Sequence, residues 1–439
     1  VSGHGELARL ERIFRAGVAA ADPDPALRAV LAVDGGDARI DGEALGPGER
    51  LHLLAVGKAA SGMAAAALSQ AGARVVRGLV VTKDGHARPD LSVRQLETAH
   101  PVPDERSAAA GREALAFVAS VPPGDALLVL LSGGASSLVS CPAAGLAPGD
   151  LAETTRLLLG SGAAIDELNA VRKHLSATAG GRLALASRAG RSFVLALSDV
   201  AGDRIDVIGS GPFAADPTRW EDAIAVLRER GVWSKLPPAV RDVLEAGGRG
   251  ELPDTPEAGA PQLARVRHRI LASNRTALTA ARDAARAEGL RPVAVWEELS
   301  GEARGVGRRL GTLLLALRSD RPVCLLAGGE TTVTLRGSGL GGRSQELALA
   351  AALAFQGRAG VALLAAGTDG SDGPTDAAGA CADGGTVERG RARGESAAAR
   401  LEDNDSYRFF AAEGGLLRTG PTGTNVRDLV LASAMPTSG

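Results

Sequence analysis

Residues 126–137 read ALLVLLSGGASS. The six apolar residues Ala126–Leu131 have the length of a strand buried on both faces, and Ser132-Gly133-Gly134 ends the run at once. An apolar strand that opens into small polar residues and then a helix is the junction of a parallel α/β sheet. The same junction recurs along the chain. Leu51–Val56 opens into Gly57-Lys58 and an Ala-rich helical stretch, Ala59–Gln70. Phe193–Leu197 opens into Ser198-Asp199, Val323–Ala327 into GGETT, and Val361–Ala366 into GTDGSDG. Further strands are predicted at Gly78–Thr82, Arg269–Ala272 and Pro292–Trp296. Helical spacing marks Leu7–Ala21, Asp150–Leu159, Asp166–Ala177, Thr276–Glu288, Glu302–Leu317 and Gln345–Phe355. The alternation predicts an α/β fold built on a mainly parallel, doubly wound sheet.

A chain of 439 residues is too long for one ordinary core and suits two α/β domains. The stretch Pro237–Gln262 is rich in Gly, Pro, Glu and Ala, which places the junction there and gives domains 1–245 and 246–439. Hydrophobic residues at 45% and charged residues at 23% are a globular balance, and the net charge of −2 gives no electrostatic support to a nucleic-acid partner. Cys141, Cys324 and Cys381 are widely spaced, match no zinc pattern and read as buried small hydrophobes, so a reducing, cytoplasmic setting is expected. The N-terminal stretch VSGHGELARLERIF is interrupted by charges and does not read as a signal peptide. Apolar runs are strand-sized, so no membrane partner is expected. A homodimer is the default for such a chain.

Ligands of open α/β sheets bind at the carboxyl ends of the strands, where this chain places its polar clusters. Gly133 and Gly134 let backbone amides approach an anion, and Ser132, Ser136 and Ser137 accompany them; the pattern is not a Walker A loop. The competing reading is a tight strand-to-helix turn. Lys58, directly after a strand, can neutralise a phosphoryl oxygen or simply be solvated. Asp199 and Asp203 can act on a hydroxyl or a cation, or cap turns. On the predicted helix Asp166–Ala177, Asn169, Arg172 and Lys173 lie three or four apart and share a side, while His174 faces elsewhere. Gly337-Ser-Gly-Leu-Gly-Gly342 supplies flexible backbone before Arg343. An Arg at a helix start conflicts with the dipole and hints at an anionic ligand, unless it pairs with Glu330 or Glu346. Asp369, Asp372 and Asp376 sit in one Gly-rich loop whose spacing is not that of an EF-hand but suits Mg²⁺ shared with nucleotide phosphates; turn-making competes for Asp372.

Taken together, VGKAA, HPVPDERS, LLSGGASSL, LNAVRKHLS, GGRLA, SDVAGDRIDVIGSGP, SNRTAL, AGGETTVTLRGSGLGGRSQELAL, AAGTDGSDGPTDAAGA, NDSYRFF and TGPTGTNVRDL resemble the glycerate 2-kinase family, in that family's order. The resemblance covers nearly the whole chain. It implies a Rossmann-like N-terminal domain and a smaller α/β C-terminal domain whose MOFRL region spans about residues 321–430. It implies an active site in the cleft between them. The activity implied is ATP-dependent phosphorylation of D-glycerate at its 2-hydroxyl, giving 2-phosphoglycerate and ADP, with Mg²⁺ or another divalent cation. Lys58 and Arg343 match the family's active-site residues, and Asp199 is the expected hydroxyl-orienting group. Substrate and nucleotide contacts are expected from Ser132, Gly133, Gly134, Ser136, Ser137, Asn169, Arg172, Lys173, Gly209, Ser210, Gly211, Asn274, Glu330, Gly341, Gly342, Thr368, Asp369, Thr424 and Asn425. Asp369 and Glu330 are the expected metal ligands. The family often has Lys before the Gly-Gly of GGRLA, where this chain has Ala179. Some relatives carry the label hydroxypyruvate reductase, an NAD(P)H-dependent activity; no G-x-G-x-x-G fingerprint follows an early strand here.

Overall fold

The structure is a computed structural model and describes residues 3–34, 37–317 and 319–436. It divides into two compact units: Pro23–Leu271, and Val1–Asp22 together with Ala272–Gly439. The division falls after the compositional junction at 237–262 rather than at 245. The reason is local: Pro238–Gly248 is a helix, with Pro at its first positions and Val240 and Leu244 buried in the first unit's helical cluster. A Gly- and Pro-containing segment is therefore not always a linker.

The first unit carries a small antiparallel sheet, β1 (Leu31–Asp34), β2 (Asp37–Ile40) and β3 (Glu43–Ala44). Its main sheet has six strands: β4 (Leu51–Val56), β5 (Val75–Lys83), β6 (Arg94–Thr98), β7 (Ala126–Leu131), β8 (Arg191–Leu197) and β9 (Val266–Ala272). They lie in the order β6-β5-β4-β7-β8-β9. Numbered along the chain that is 3-2-1-4-5-6, the Rossmann order, in which the chain reverses direction across the sheet between the first and fourth strands. The β5–β6, β4–β5, β4–β7 and β7–β8 pairs are parallel. Every residue of β4 and β7 is buried, as their unbroken apolar runs require. Leu54, Val56, Leu79, Val129 and Leu131 form the centre of one core. A second cluster, containing Leu158, Leu168, Val171, Leu175 and Trp220, packs helices Pro148–Gly160, Ile165–His174 and Trp220–Glu229 together.

The second unit has its own six-stranded sheet: β10 (Arg291–Leu299), β11 (Val323–Gly329), β12 (Val361–Gly367), β13 (Gly379–Asp383), β14 (Leu416–Leu417) and β15 (Asp428–Ala434). The order is β10-β11-β15-β12-β13-β14. Only β10–β11 is parallel; β15 runs antiparallel to both β11 and β12, and β13 antiparallel to β12 and β14. The alternation of strands and helices does not carry over into a parallel sheet here, because the last strand returns to the middle and fills the gap between β11 and β12. The helix Gly3–Ala20 belongs to this unit and packs on the helix Asn274–Ala287 and on β12. Helices Ala303–Ala316 and Arg343–Ala354 bury Leu310, Leu314, Leu347 and Ala351 against the sheet.

Candidate active site

In the first unit the polar junctions after β4 and β7 lie at the reversal point of the sheet. Gly57 has φ of +135°, and a Cβ there would fall 2.1 Å from the Ser132 hydroxyl oxygen, so only glycine fits. The two junctions are tied by backbone: Ser132 N–H donates to Val56 C=O at 3.0 Å, and Lys58 N–H to Gly133 C=O at 2.9 Å. The Ser132 hydroxyl accepts from Ala59 N–H at 3.1 Å. A Cβ on Gly134 would lie 2.9 Å from the His100 ring and 3.3 Å from Lys58 Cγ, so both side chains lie over this residue. The helix that follows is one short turn, Ala135–Leu138, so any anion contact here falls to the loop rather than to a helix end. Ser137 donates to Gly134 C=O at 3.0 Å. Ser132 and Ser137 are thus committed to the turn, while Ser136 lines a cavity.

Helix Ile165–His174 separates the residues expected on one side. Arg172 lines the cavity, whereas Lys173 is buried and ion-paired with Asp216 at 3.2 Å and Asp206 at 3.5 Å. Neighbours on a helix project about 100° apart, so the two cations diverge. Lys173 serves the fold and offers no charge to a ligand. His174 is also structural, held by Ala170 C=O at 2.7 Å and Asp254 at 2.9 Å. Asn169 is buried on the same helix. Gly209, Ser210 and Gly211 all have φ near +60°, and Gly209 and Ser210 line the cavity. Their carbonyls fix the GGRLA turn: Gly180 N–H donates to Ser210 C=O at 2.9 Å and Gly181 N–H to Gly211 C=O at 2.7 Å. Ala179 also lines the cavity. Asp199 is half-buried just past β8, and Asp203 has φ of +53° in a turn.

In the second unit Arg343 opens the helix Arg343–Ala354. Its guanidinium grips Asp428 with two bonds, 2.6 and 2.8 Å, and Glu330 at 2.7 Å. Glu346 is turned elsewhere, to Arg304 at 2.9 Å and Asn404 at 2.8 Å. Burial works against the Arg343 charge, but Asp428 and Glu330 more than restore it and hold its pKa above the usual guanidinium value. Gly342 has no side chain to cap the helix. Asp372 does so from outside, accepting from Ser344 N–H at 3.1 Å and Gln345 N–H at 2.8 Å. A Cβ on Gly342 would be 2.2 Å from the Asp372 carboxyl carbon, so this approach also demands glycine. Burial, and then the Asp428 charge, push the Asp372 carboxyl up to about 7.

The 337–342 loop is not flexible backbone. Asn404 Oδ1 accepts from Arg336 and Gly337 N–H, Asp403 from Ser338 and Gly339 N–H, and Asp405 from Leu340 N–H. Those amides are engaged and cannot cradle an anion. Thr368 and Thr424 are likewise internal: the Thr368 hydroxyl donates to Arg427 C=O at 2.6 Å and the Thr424 hydroxyl to Ala21 C=O at 2.6 Å. Asn274 is buried and donates to Val426 and Asp428 C=O at 2.8 and 3.1 Å, which sets the backbone that presents Asp428. Asn425, next to Val426, is buried as well. Gly341 packs against Ser406, where a Cβ would lie 2.3 Å from the hydroxyl. Asp369 accepts from Ser371 N–H at 3.0 Å and is half-buried. Among the described residues no group of three or more His, Cys, Asp or Glu is placed to hold a metal ion by itself. Glu330, Asp372 and Asp428 nevertheless outnumber the one guanidinium they act on, and Asp369 lies with Asp428 beside Gly367. Such a donor set fits a divalent cation that takes its other ligands from phosphates. Asp428 was not singled out in the sequence; its signal was its place four residues past Thr424 in TGTNVRDL, without any contrast to mark it.

Residues 9–245 match a domain of unknown function (DUF4147), and residues 323–428 match the MOFRL family. A D-glycerate 2-kinase of Thermotoga maritima is 41% identical over 389 residues, covering 87% of this chain and 90% of that protein. The chain belongs to the glycerate 2-kinase family. A crystal structure of glycerate kinase from Thermotoga maritima superposes with a TM-score of 0.82 at 38% identity, covering 98% of this chain and 99% of that one. A protein of Agrobacterium vitis named putative hydroxypyruvate reductase is 39% identical, covering 96% of this chain and 92% of its own length.

Proposed function

We propose that the chain is an ATP-dependent kinase that phosphorylates D-glycerate at the 2-hydroxyl, releasing ADP and 2-phosphoglycerate. Phosphoryl transfer asks a protein mainly for positioning and charge stabilisation. The observation that carries this reading is the junction at the sheet reversal, where Lys58 lies over Gly134 with the β4 and β7 loops stitched together. Lys58 neutralises the transferring phosphoryl group, and Arg343, oriented by Asp428, adds a second positive charge to phosphate or substrate carboxylate. Asp199 orients the 2-hydroxyl and receives its proton. Bound Mg²⁺ would neutralise phosphate charge. Asp369 would hold it, with Glu330 as a second ligand to the extent that it leaves Arg343. Three buried thiols without disulfides go with a reducing, cytoplasmic setting.

The alternative is NAD(P)H-dependent reduction of hydroxypyruvate, the activity named for the Agrobacterium vitis relative. The first strand of the sheet ends in Gly57-Lys58, not in a glycine fingerprint, which favours the kinase. Two assays separate them. ADP release dependent on D-glycerate, with 2-phosphoglycerate as product, is expected. NAD(P)H oxidation with hydroxypyruvate and no ADP release would overturn the proposal.

A further inference from the structure

The cavity in the first unit has a volume of about 720 Å³ and its walls are mostly aliphatic. Leu151 and Leu158 come from helix Pro148–Gly160, and Leu168 and Val171 from helix Ile165–His174. Ser136 and Ser210 are among the hydroxyls that interrupt these walls. Arg172 enters this space with no ion pair or hydrogen bond among the described residues. Glu153, the acid in the cavity lining, is taken by Arg156 at 2.6 Å, and Lys173 and His174, next to Arg172 on the helix, hold Asp206, Asp216 and Asp254. Loss of water alone acts on the guanidinium and pulls its pKa down, with no carboxylate to offset it. A charge left uncompensated in this way is costly unless an anion arrives to pair with it.

The size and lining decide which anion. Glycerate has three carbons, a carboxylate and two hydroxyls. Set against leucine and valine walls, most of its polar groups would lose their hydrogen bonds. The cavity is also in the range that takes a ligand of drug size. A nucleoside presents two apolar ring faces to such walls and carries its anionic groups at one end. That end has a path here. Ser136, which lines the cavity, is two residues from Gly134, over which Lys58 lies.

We propose that this cavity receives the nucleoside end of the phosphate donor, and that Arg172 binds a phosphate oxygen of the same nucleotide on the way to Gly134 and Lys58. The proposal rests on the kinase reading and deepens it, since it assigns the donor, rather than the hydroxy acid, to the first unit's cavity. Arg172 is then a binding residue for the nucleotide and touches no part of the acceptor.

The experiment uses the full-length protein. KM for ATP and for D-glycerate are measured by ADP release, and ADP binding by calorimetry without glycerate. Arg172→Gln should raise KM for ATP and Kd for ADP about tenfold or more, as for loss of a charge-assisted bond to phosphate, with KM for glycerate nearly unchanged. Arg172→Lys should recover part of the loss. Thr155→Trp, which fills the cavity from helix Pro148–Gly160, should weaken ADP in the same way without touching Arg172. A rise in KM for glycerate alone, or ADP binding indifferent to both substitutions in a protein of wild-type melting temperature, overturns the assignment while the kinase reading stands. A wild type that releases no ADP with glycerate removes the kinase reading, and this inference with it.

Discussion

Arg172 and Arg343 are both partly buried, the first in the helical run NAVRKH and the second after the glycines of GGRSQE. Their surroundings are opposite. Arg343 is held by Asp428 and Glu330, and its charge is reinforced. Arg172 has no carboxylate partner among the described residues, and its charge is weakened by burial. A guanidinium with two carboxylates is fixed in direction and gives up little when a ligand leaves. A guanidinium without one is completed by its ligand. The first kind suits a transition state that needs a preorganised charge, the second suits ground-state binding.

The strongest way to break this contrast is Arg343→Ala. Turnover should fall by roughly a hundredfold to a thousandfold, with KM for ATP changed little, because a fixed charge acts in the transition state. A loss confined to KM would place Arg343 with Arg172. Next comes Asp428→Asn, which leaves the guanidinium in place but loosens its direction. A fall in turnover of roughly tenfold to a hundredfold is expected, smaller than for Arg343→Ala, and turnover equal to wild type would show that orientation by Asp428 is not needed. Asn404→Ala tests the clamp on the 337–342 loop. It removes the acceptor of two backbone amides and should cost about 2 kcal/mol of stability, read from denaturant unfolding. An unchanged unfolding midpoint would mean the loop holds without it.

The smallest effect concerns Asp372. Its carboxyl lies at about 7 in the folded chain, above the ordinary value of 3.8. The folded state therefore keeps a proton that the unfolded chain releases. The stabilisation is fully present below the ordinary carboxylate pKa and is lost as pH rises through about 7. Asp372→Asn should flatten that fall by an amount on the order of 1–2 kcal/mol between pH 5 and pH 8. Parallel pH–stability curves for the two proteins would contradict the assignment.

Much of the first unit was legible because its central strands are uninterrupted apolar runs. Leu51–Val56 and Ala126–Leu131 agree residue for residue with β4 and β7. Strand β6, Arg94–Thr98, carries the edge sequence RQLET and has no pattern to read. In the second unit β15, DLVLASA, is central and fully buried, yet its small residues resemble a loop sequence as much as a strand. The site followed the same logic. Residue type announced Lys58 and Arg343. It did not announce which amides were already engaged, and so the glycines of 337–342 read as flexible backbone, although Asp403, Asn404 and Asp405 hold the amides of residues 336–340 from about 65 residues away. Glycine shows where backbone can approach; only the partner reveals what approaches.

The most direct test is the rate of ADP release by Lys58→Ala at saturating ATP and D-glycerate, beside the wild-type chain, with melting curves for both. The account predicts a drop of roughly a hundredfold or more with an unchanged melting temperature. Turnover close to wild type in a folded Lys58→Ala protein would contradict it.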